Sequence, residues 1–118
     1  MRTIIAGSRW YERYDLFIDM MRFDLPWPVT TVISGAARGA DQLGERWAKQ
    51  FSVPLERYPA QWRRADGSTD KGAGHRRNSL MAAKADALLA LWDFNSPGTR
   101  HMIGEARKRG LAVHLIRI

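Results

Sequence analysis

The 118-residue sequence contains no cysteine. That absence excludes a disulfide framework, a thiolate nucleophile and any zinc site built on sulfur, and it suits a reducing compartment. Apolar runs are short as well. None approaches the roughly 18 to 20 residues that cross a bilayer, and the opening MRTIIAGSRWYERY turns polar soon after Ala6, unlike a secretory leader. The expectation is a single cytoplasmic domain over residues 1–118 with no membrane partner. Lysine is scarce: 15 of the 19 cations are arginine and only 4 are lysine. Arginine favours planar, bidentate contact with phosphate or carboxylate over a diffuse lysine coat.

Against 12 acids the cations leave a net charge of +7. They are unevenly placed, with six cations and two acids, Asp66 and Asp70, between Arg57 and Arg77. Charge alone leaves open a solvated basic surface, a nucleic-acid surface and a pocket for a phosphorylated small molecule.

Short apolar runs alternate with helical patterns along the chain. Arg2 to Ala6 reads as a strand ending at Gly7-Ser8-Arg9. A helix follows over Tyr14 to Phe23, with Leu16, Phe17, Met20, Met21 and Phe23 at helical spacing, stopped by Pro26 and Pro28. Val29 to Ile33 is a β-branched strand that runs into Ser34-Gly35-Ala36-Ala37-Arg38-Gly39-Ala40-Asp41. In the next helix, Ala40 to Phe51, Leu43, Trp47 and Phe51 form the expected core face. Val53 to Tyr58 is less apolar, as suits a sheet edge, and Pro59 to Lys71 is a polar loop long enough to be functional.

Gly74 to Ala85 reads as a helix with Leu80, Met81 and Ala85 inward, and the unbroken ALLALW of 87–92 as a central strand buried on both faces. A turn at Asn95 to Thr99, a helix from Thr99 to Arg109 and a strand from Leu111 to Ile116 complete the pattern. It predicts an α/β, Rossmann-like three-layer sandwich with a five-stranded parallel sheet of order 3-2-1-4-5. Ligands of such sheets bind at the carboxyl ends of the strands, where the winding reverses. The turns after the first, second and fourth strands open on that rim.

Ser34 to Gly39 joins a strand to a helix, and its small residues let backbone N–H groups approach a phosphate; a tight turn needs the same glycines. It is neither a dinucleotide GxGxxG nor a Walker A loop. Ser96-Pro97-Gly98-Thr99 is a second such turn and Gly7-Ser8 a third. In Lys71-Gly72-Ala73-Gly74-His75-Arg76-Arg77-Asn78, cations gather at a helix start, against the dipole, an arrangement that an anionic ligand or partner explains more readily than the alternative, a solvated basic loop. His75, His101 and His114 lack metal-ligand spacing, so neither a metal nor another cofactor is expected. No GxSxG elbow offers a serine nucleophile. Asp41, Asp93, Glu45 and Glu105 are the candidate carboxylates near the rim, and Trp10, Tyr11, Trp62 and Trp92 its aromatic faces.

Taken in order, Gly7-Ser8-Arg9, SGAARGAD at 34–41, Trp47-Ala48, Pro59, Trp62, Lys71-Gly72-Ala73-Gly74, Arg77-Asn78, Met81, Ala85-Asp86, Trp92-Asp93 and Ser96-Pro97-Gly98-Thr99 resemble the YspA, cpYpsA-related branch of the SLOG superfamily. The resemblance spans nearly the whole chain. It implies a Rossmann-like fold that binds nucleotides or nucleotide-derived molecules, in bacterial or phage nucleotide signalling or conflict, and that commonly self-associates. More distantly the chain resembles the Lonely-guy (LOG) phosphoribohydrolases and the DNA-processing protein A family. Arg77 and Met81 keep a LOG spacing and Gly98-Thr99 its phosphate-binding pair, but Ser96-Pro97 replaces its glycine pair and Met102 stands where its catalytic glutamate is expected. His75 replaces the family pattern's proline.

The leading expectation is nucleotide binding by Gly7, Ser8, Arg9, Ser34, Gly35, Ala36, Arg38, Gly39, Asp41, Lys71, Arg77, Asn78, Trp92, Ser96, Gly98 and Thr99, with Trp62 or Trp92 stacking on the base. An N-glycosidase acting on a nucleoside 5′-monophosphate, with Arg77, Asp41 and Glu105 as catalytic residues, is the enzyme alternative. Single-stranded nucleic-acid binding is the third.

Overall fold

ALLALW carries no polar side chain on either face, so it is stable only between two neighbouring strands and under two layers of helix. The computed structural model, which describes residues 1–118, puts it there. The elements are β1 (Arg2–Gly7), α1 (Tyr14–Asp19) continued by a π-helical segment (Met20–Asp24), β2 (Thr31–Ser34), α2 (Ala40–Gln50), β3 (Leu55–Arg57), α3 (Ala73–Lys84), β4 (Ala87–Trp92), α4 (Pro97–Lys108) and β5 (Ala112–Arg117). The strands form one sheet of order β3-β2-β1-β4-β5, parallel throughout, as the alternating pattern predicts. β4 is fully buried and pairs with β1 from Thr3↔Ala87 to Gly7↔Leu91, while the short β3 forms one edge.

Alternation along the strands divides the core in two, because successive side chains point to opposite faces. Ile4, Ile33, Leu88 and Ala90 pack on one face with Met81 of α3 and Met102 and Ile103 of α4. Ile5, Val32, Leu89 and Leu91 pack on the other with Phe17 of α1 and Leu43 and Ala48 of α2. No helix is long and apolar enough to cross a membrane.

The helices depart from the expected pattern in detail. Phe17 is fully buried, but Leu16 and Phe23 are 41% and 71% exposed. The helix widens to a π turn at Met20, closed by the Leu25 N–H on the Met20 carbonyl; Met20, Met21 and Leu25 still pack against the core while Phe23 is carried off it. Phe51 is 49% exposed, because a spacing of four drifts off a 3.6-residue stripe and α2 has ended by then. Leu80 is 47% exposed, since α3 turns Asn78, Met81 and Ala82 inward instead. α4 begins at Pro97, earlier than expected, with proline in its first turn where no N–H is needed.

Candidate functional site

Side chains of small polar residues hold the rim together. Ser8, at the end of β1, is fully buried, and its Oγ accepts the Asp93 N–H at 3.3 Å and bonds the Ser96 hydroxyl at 3.1 Å. The β1–α1 and β4–α4 loops are thereby tied together. Asp93 accepts N–H groups from the Trp10 indole (2.7 Å), Asn95 (2.8 Å) and Ser96 (3.0 Å), donors that hold its carboxyl well below the usual range. Its carboxylate therefore shapes the turn before α4.

In the β2–α2 loop, Ser34 donates to Glu45 at 2.6 Å and accepts the Ala36 N–H at 3.0 Å. Gly39 has φ 75° and lies so close to the Ser8–Arg9 backbone that a β-carbon would collide with it. Asp41 follows in the first turn of α2 and accepts the Ala37 N–H at 3.1 Å. Arg77 reaches across from α3 to donate to the Gly35 carbonyl, and its Nε donates to Asn78 Oδ1 at 3.1 Å. A β-carbon on Gly35 would stand 2.6 Å from the Arg77 guanidinium and 2.9 Å from the Asp41 carboxylate. Glycine there is what lets Arg77 pass.

These loops enclose a cavity of about 550 Å³, within the size range of small-molecule sites. Arg9, Lys71 and Arg77 line it, and the ion pairs of the molecule join other cations. Trp10 and Trp62 give it aromatic walls. Trp62 sits over Gly74, where a β-carbon would meet its ring at 2.8 Å. The long polar loop delivers that ring: Arg63 bridges Thr69 and the Asp70 N–H bonds the Trp62 carbonyl. Asp41 is buried in the wall. Burial pushes its carboxyl up to about 6, against the opposing pull of the Ala37 N–H and of Arg77 and Arg9. Burial also lowers the Arg77 pKa.

Of the residues expected at the site, Gly7 and Arg9 line the cavity from β1 and its loop, and Asp41 from α2. Lys71, Arg77 and Asn78 line it from the α3 side, and Ser96, Gly98 and Thr99 from the start of α4. The others lie elsewhere. Ser8, Ser34, Gly35, Ala36 and Gly39 build the loops rather than the wall. Arg38 is exposed and points off the cavity from a turn in which Ala36 has φ 60°. Trp92 belongs to the core, with its indole N–H on the Ser96 carbonyl at 3.2 Å and its ring stacked on Phe94, so it is no stacking face for a ligand. Tyr11 is likewise buried in the core.

Glu105 stands about 9 Å along α4 from Thr99 and faces His101 (3.7 Å) and Arg109 (4.0 Å). It does not line the cavity. Sequence reasoning left out Met102 and His75 as lining residues. Met102 was legible three residues after Thr99; His75 carried no metal or catalytic spacing to mark it.

The family model for the YspA, cpYpsA-related SLOG family matches residues 1–65, which include β1, β2 and β3. A relative matches nearly the whole chain: the Gene 61 protein of Mycobacterium phage D29 is 37% identical over 122 residues, covering 95% of this chain and 93% of that protein. The chain belongs to the YspA, cpYpsA-related SLOG family. DNA processing protein A from Streptococcus pneumoniae shares the fold of this SLOG chain, with a TM-score of 0.73 at 16% identity over 99% of the chain. The SLOG chain spans 50% of the length of that neighbour. Its own cavity differs from the LOG pattern at one telling place. The side chain of Met102 does face the cavity, so the position expected to hold an acid is an apolar patch of wall.

Proposed function

We propose that this protein binds a nucleotide or nucleotide-derived small molecule in the rim cavity. The observation that carries the reading is the coincidence, in one cavity, of two tryptophan faces with three cations that close no ion pair. Arg9, Lys71 and Arg77 supply charge for phosphate, and the first-turn amides of α4 at Gly98 and Thr99 add donors without helical partners. Trp62 or Trp10 stacks on the base. Asn78 is engaged by Arg77 and by the Gly98 carbonyl, so it orders the wall.

Calorimetric titration with mononucleotides, cyclic nucleotides and ADP-ribose-type ligands tests the reading. Binding that Arg9→Ala and Arg77→Ala both weaken supports it; binding indifferent to both overturns the site assignment. A gel shift with a single-stranded oligonucleotide, with affinity falling steeply with salt, would instead assign the cations to nucleic acid. The reading takes the protein as cytoplasmic and homo-oligomeric, and light scattering checks the second point.

One observation favours a second reading, N-glycosidic cleavage of a nucleoside 5′-monophosphate. Asp41 is a buried carboxyl in the cavity wall whose pKa of about 6 lets it hold a proton near neutrality. In that reaction the bond between C1′ and the base nitrogen breaks, Asp41 protonates the departing base, and water adds at C1′ and returns a proton to Asp41. Free base and ribose 5-phosphate result. Chromatography of AMP incubations detects the base, and Asp41→Asn abolishes its release. No release from a panel of monophosphates leaves a binding protein.

A further inference from the structure

His75 sits in the first turn of α3 and lines the cavity with Lys71 and Gly74. Its ring lies flat on that of His101 from α4, with centroids 3.8 Å apart and planes 5° from parallel. Two imidazoles in such contact resist holding two protons, because like charges at that distance repel. The hydrogen bonds around them determine which one stays neutral.

Arg77 fixes the answer through Asn78. The Asn78 Oδ1 accepts from Arg77 Nε, so its NH₂ is directed the other way, to the Gly98 carbonyl at 3.3 Å and to His101 Nδ1 at 3.2 Å. An amide NH₂ only donates, so Nδ1 of His101 accepts and carries no proton. The His101 hydrogen is then on Nε2, which faces Glu105 at 3.7 Å. Burial, and next the neighbouring His75, lower the His101 pKa below the ordinary histidine value.

We infer that His75 is a further ligand contact of the cavity, one that adds a positive charge when protonated and rests on neutral His101 as a stacking platform. The inference depends on the binding reading given above. His101 is a positioning residue: its flat, neutral ring stabilises the imidazolium above it, and its own proton is kept away by Asn78. The charged groups around the pair are Lys71 and Arg77 on the α3 side, Glu105 and Lys108 on α4, and Arg9 and Asp41 across the cavity. A proton on His75 would add a fourth positive charge to those of Arg9, Lys71 and Arg77 in the cavity. A bound phosphate supplies the countercharge, so binding takes up a proton and affinity rises as the pH falls through the histidine range. Where the family pattern has proline, this chain thus carries a titratable contact.

The test is calorimetric titration of the intact protein with AMP at about pH 7.5 and about pH 5.5, in wild type, His75→Asn and His101→Phe. AMP and Asp41 titrate in the same range. Both are common to all three proteins, so differences in the ratio of the two Kd values report the histidines. His75→Asn lowers the affinity gain at acid pH by at least about 10-fold, the lower end for a hydrogen bond to a charged group. His101→Phe, which keeps a neutral ring under His75, retains the wild-type ratio.

A His75→Asn protein with the wild-type ratio overturns the inference and leaves the binding reading intact. So does loss of the ratio in His101→Phe, which would put the proton on His101. Failure of AMP to bind the wild type at either pH removes the binding reading and the inference with it. A nitrogen-15 histidine spectrum, free of any ligand, supports the assignment by showing His101 as the Nε2–H tautomer at both pH values. A protonated His101 at the lower value overturns it.

Discussion

Arg77 of α3 donates to the backbone carbonyl of Gly35 in the β2–α2 loop, so a helix on one face of the sheet holds a loop that leads into a helix on the other. The contact bridges the point where the winding reverses, and it orients one of the two arginines of the cavity. Arg77→Ala removes both the charge and the tie, and is expected to weaken nucleotide binding by at least about tenfold. Gly35→Ala should act in the same direction without removing any charge, because its β-carbon takes the place of the guanidinium. Titration calorimetry on both variants checks this; full affinity in Gly35→Ala would show that the guanidinium need not stand where it does.

Asp41 should make stability depend on pH. Its folded pKa of about 6 lies above the ordinary 3.8, so the folded state binds the extra proton between those values. Stability from this group is therefore highest below about pH 4 and falls as pH rises to about 6, by on the order of 3 kcal/mol. Asp41→Asn keeps an acceptor for the Ala37 N–H and abolishes that fall. Urea midpoints for the two proteins should be similar at about pH 4 and should favour the variant at about pH 7. A wild type that equals the variant at both values contradicts the burial argument.

Trp62 depends on the missing side chain of Gly74. Trp62→Ala is expected to lower affinity by about 5- to 100-fold if the ring stacks on a base. Gly74→Val should give a similar loss, because the added atoms occupy the seat of the ring. Quenching of tryptophan fluorescence by the nucleotide should shrink in Trp62→Ala. Undiminished affinity in both variants would assign the base to the Trp10 side.

Asp93 couples the β4–α4 turn to Trp10. Its carboxyl is held below the usual range, so the stability it provides is present above the ordinary carboxylate pKa and is lost as pH falls through the depressed value. Asp93→Ala frees the Trp10 indole and two turn amides together. The thermal midpoint at neutral pH should drop, and ligand affinity with it, because both walls of the cavity loosen. A variant with unchanged midpoint would show that the Ser8 hydroxyl and the Trp92 indole hold the turn unaided.

The strand order and the rim were legible because they depend on local composition. ALLALW has nothing polar to expose, the alternation of strands and helices admits right-handed crossovers, and glycine-bearing turns follow three strands. The residues lining the cavity were only partly legible. Arg38 and Trp92 belong to the same motifs as Asp41 and Ser96, yet one points to solvent and the other into the core. Motif membership fixes position along the chain and leaves side-chain direction to the φ of a single turn residue or the parity of a strand position. Glu105 failed for a simpler reason, since a helix carries it 1.5 Å further from the rim with every residue.

By itself, then, the sequence determined the class of fold, the end of the sheet where the glycine-bearing loops gather and an excess of arginine over lysine. Tertiary structure alone decided which arginines line one cavity, that Asp41 is buried enough to hold a proton near neutrality, and that the rings of His75 and His101 stack flat on one another. These are properties of distance and desolvation between residues as far apart in the chain as Gly35 and Arg77. Charge, pKa and stacking depend on what surrounds a side chain, and that is set only when the crossovers bring the loops together.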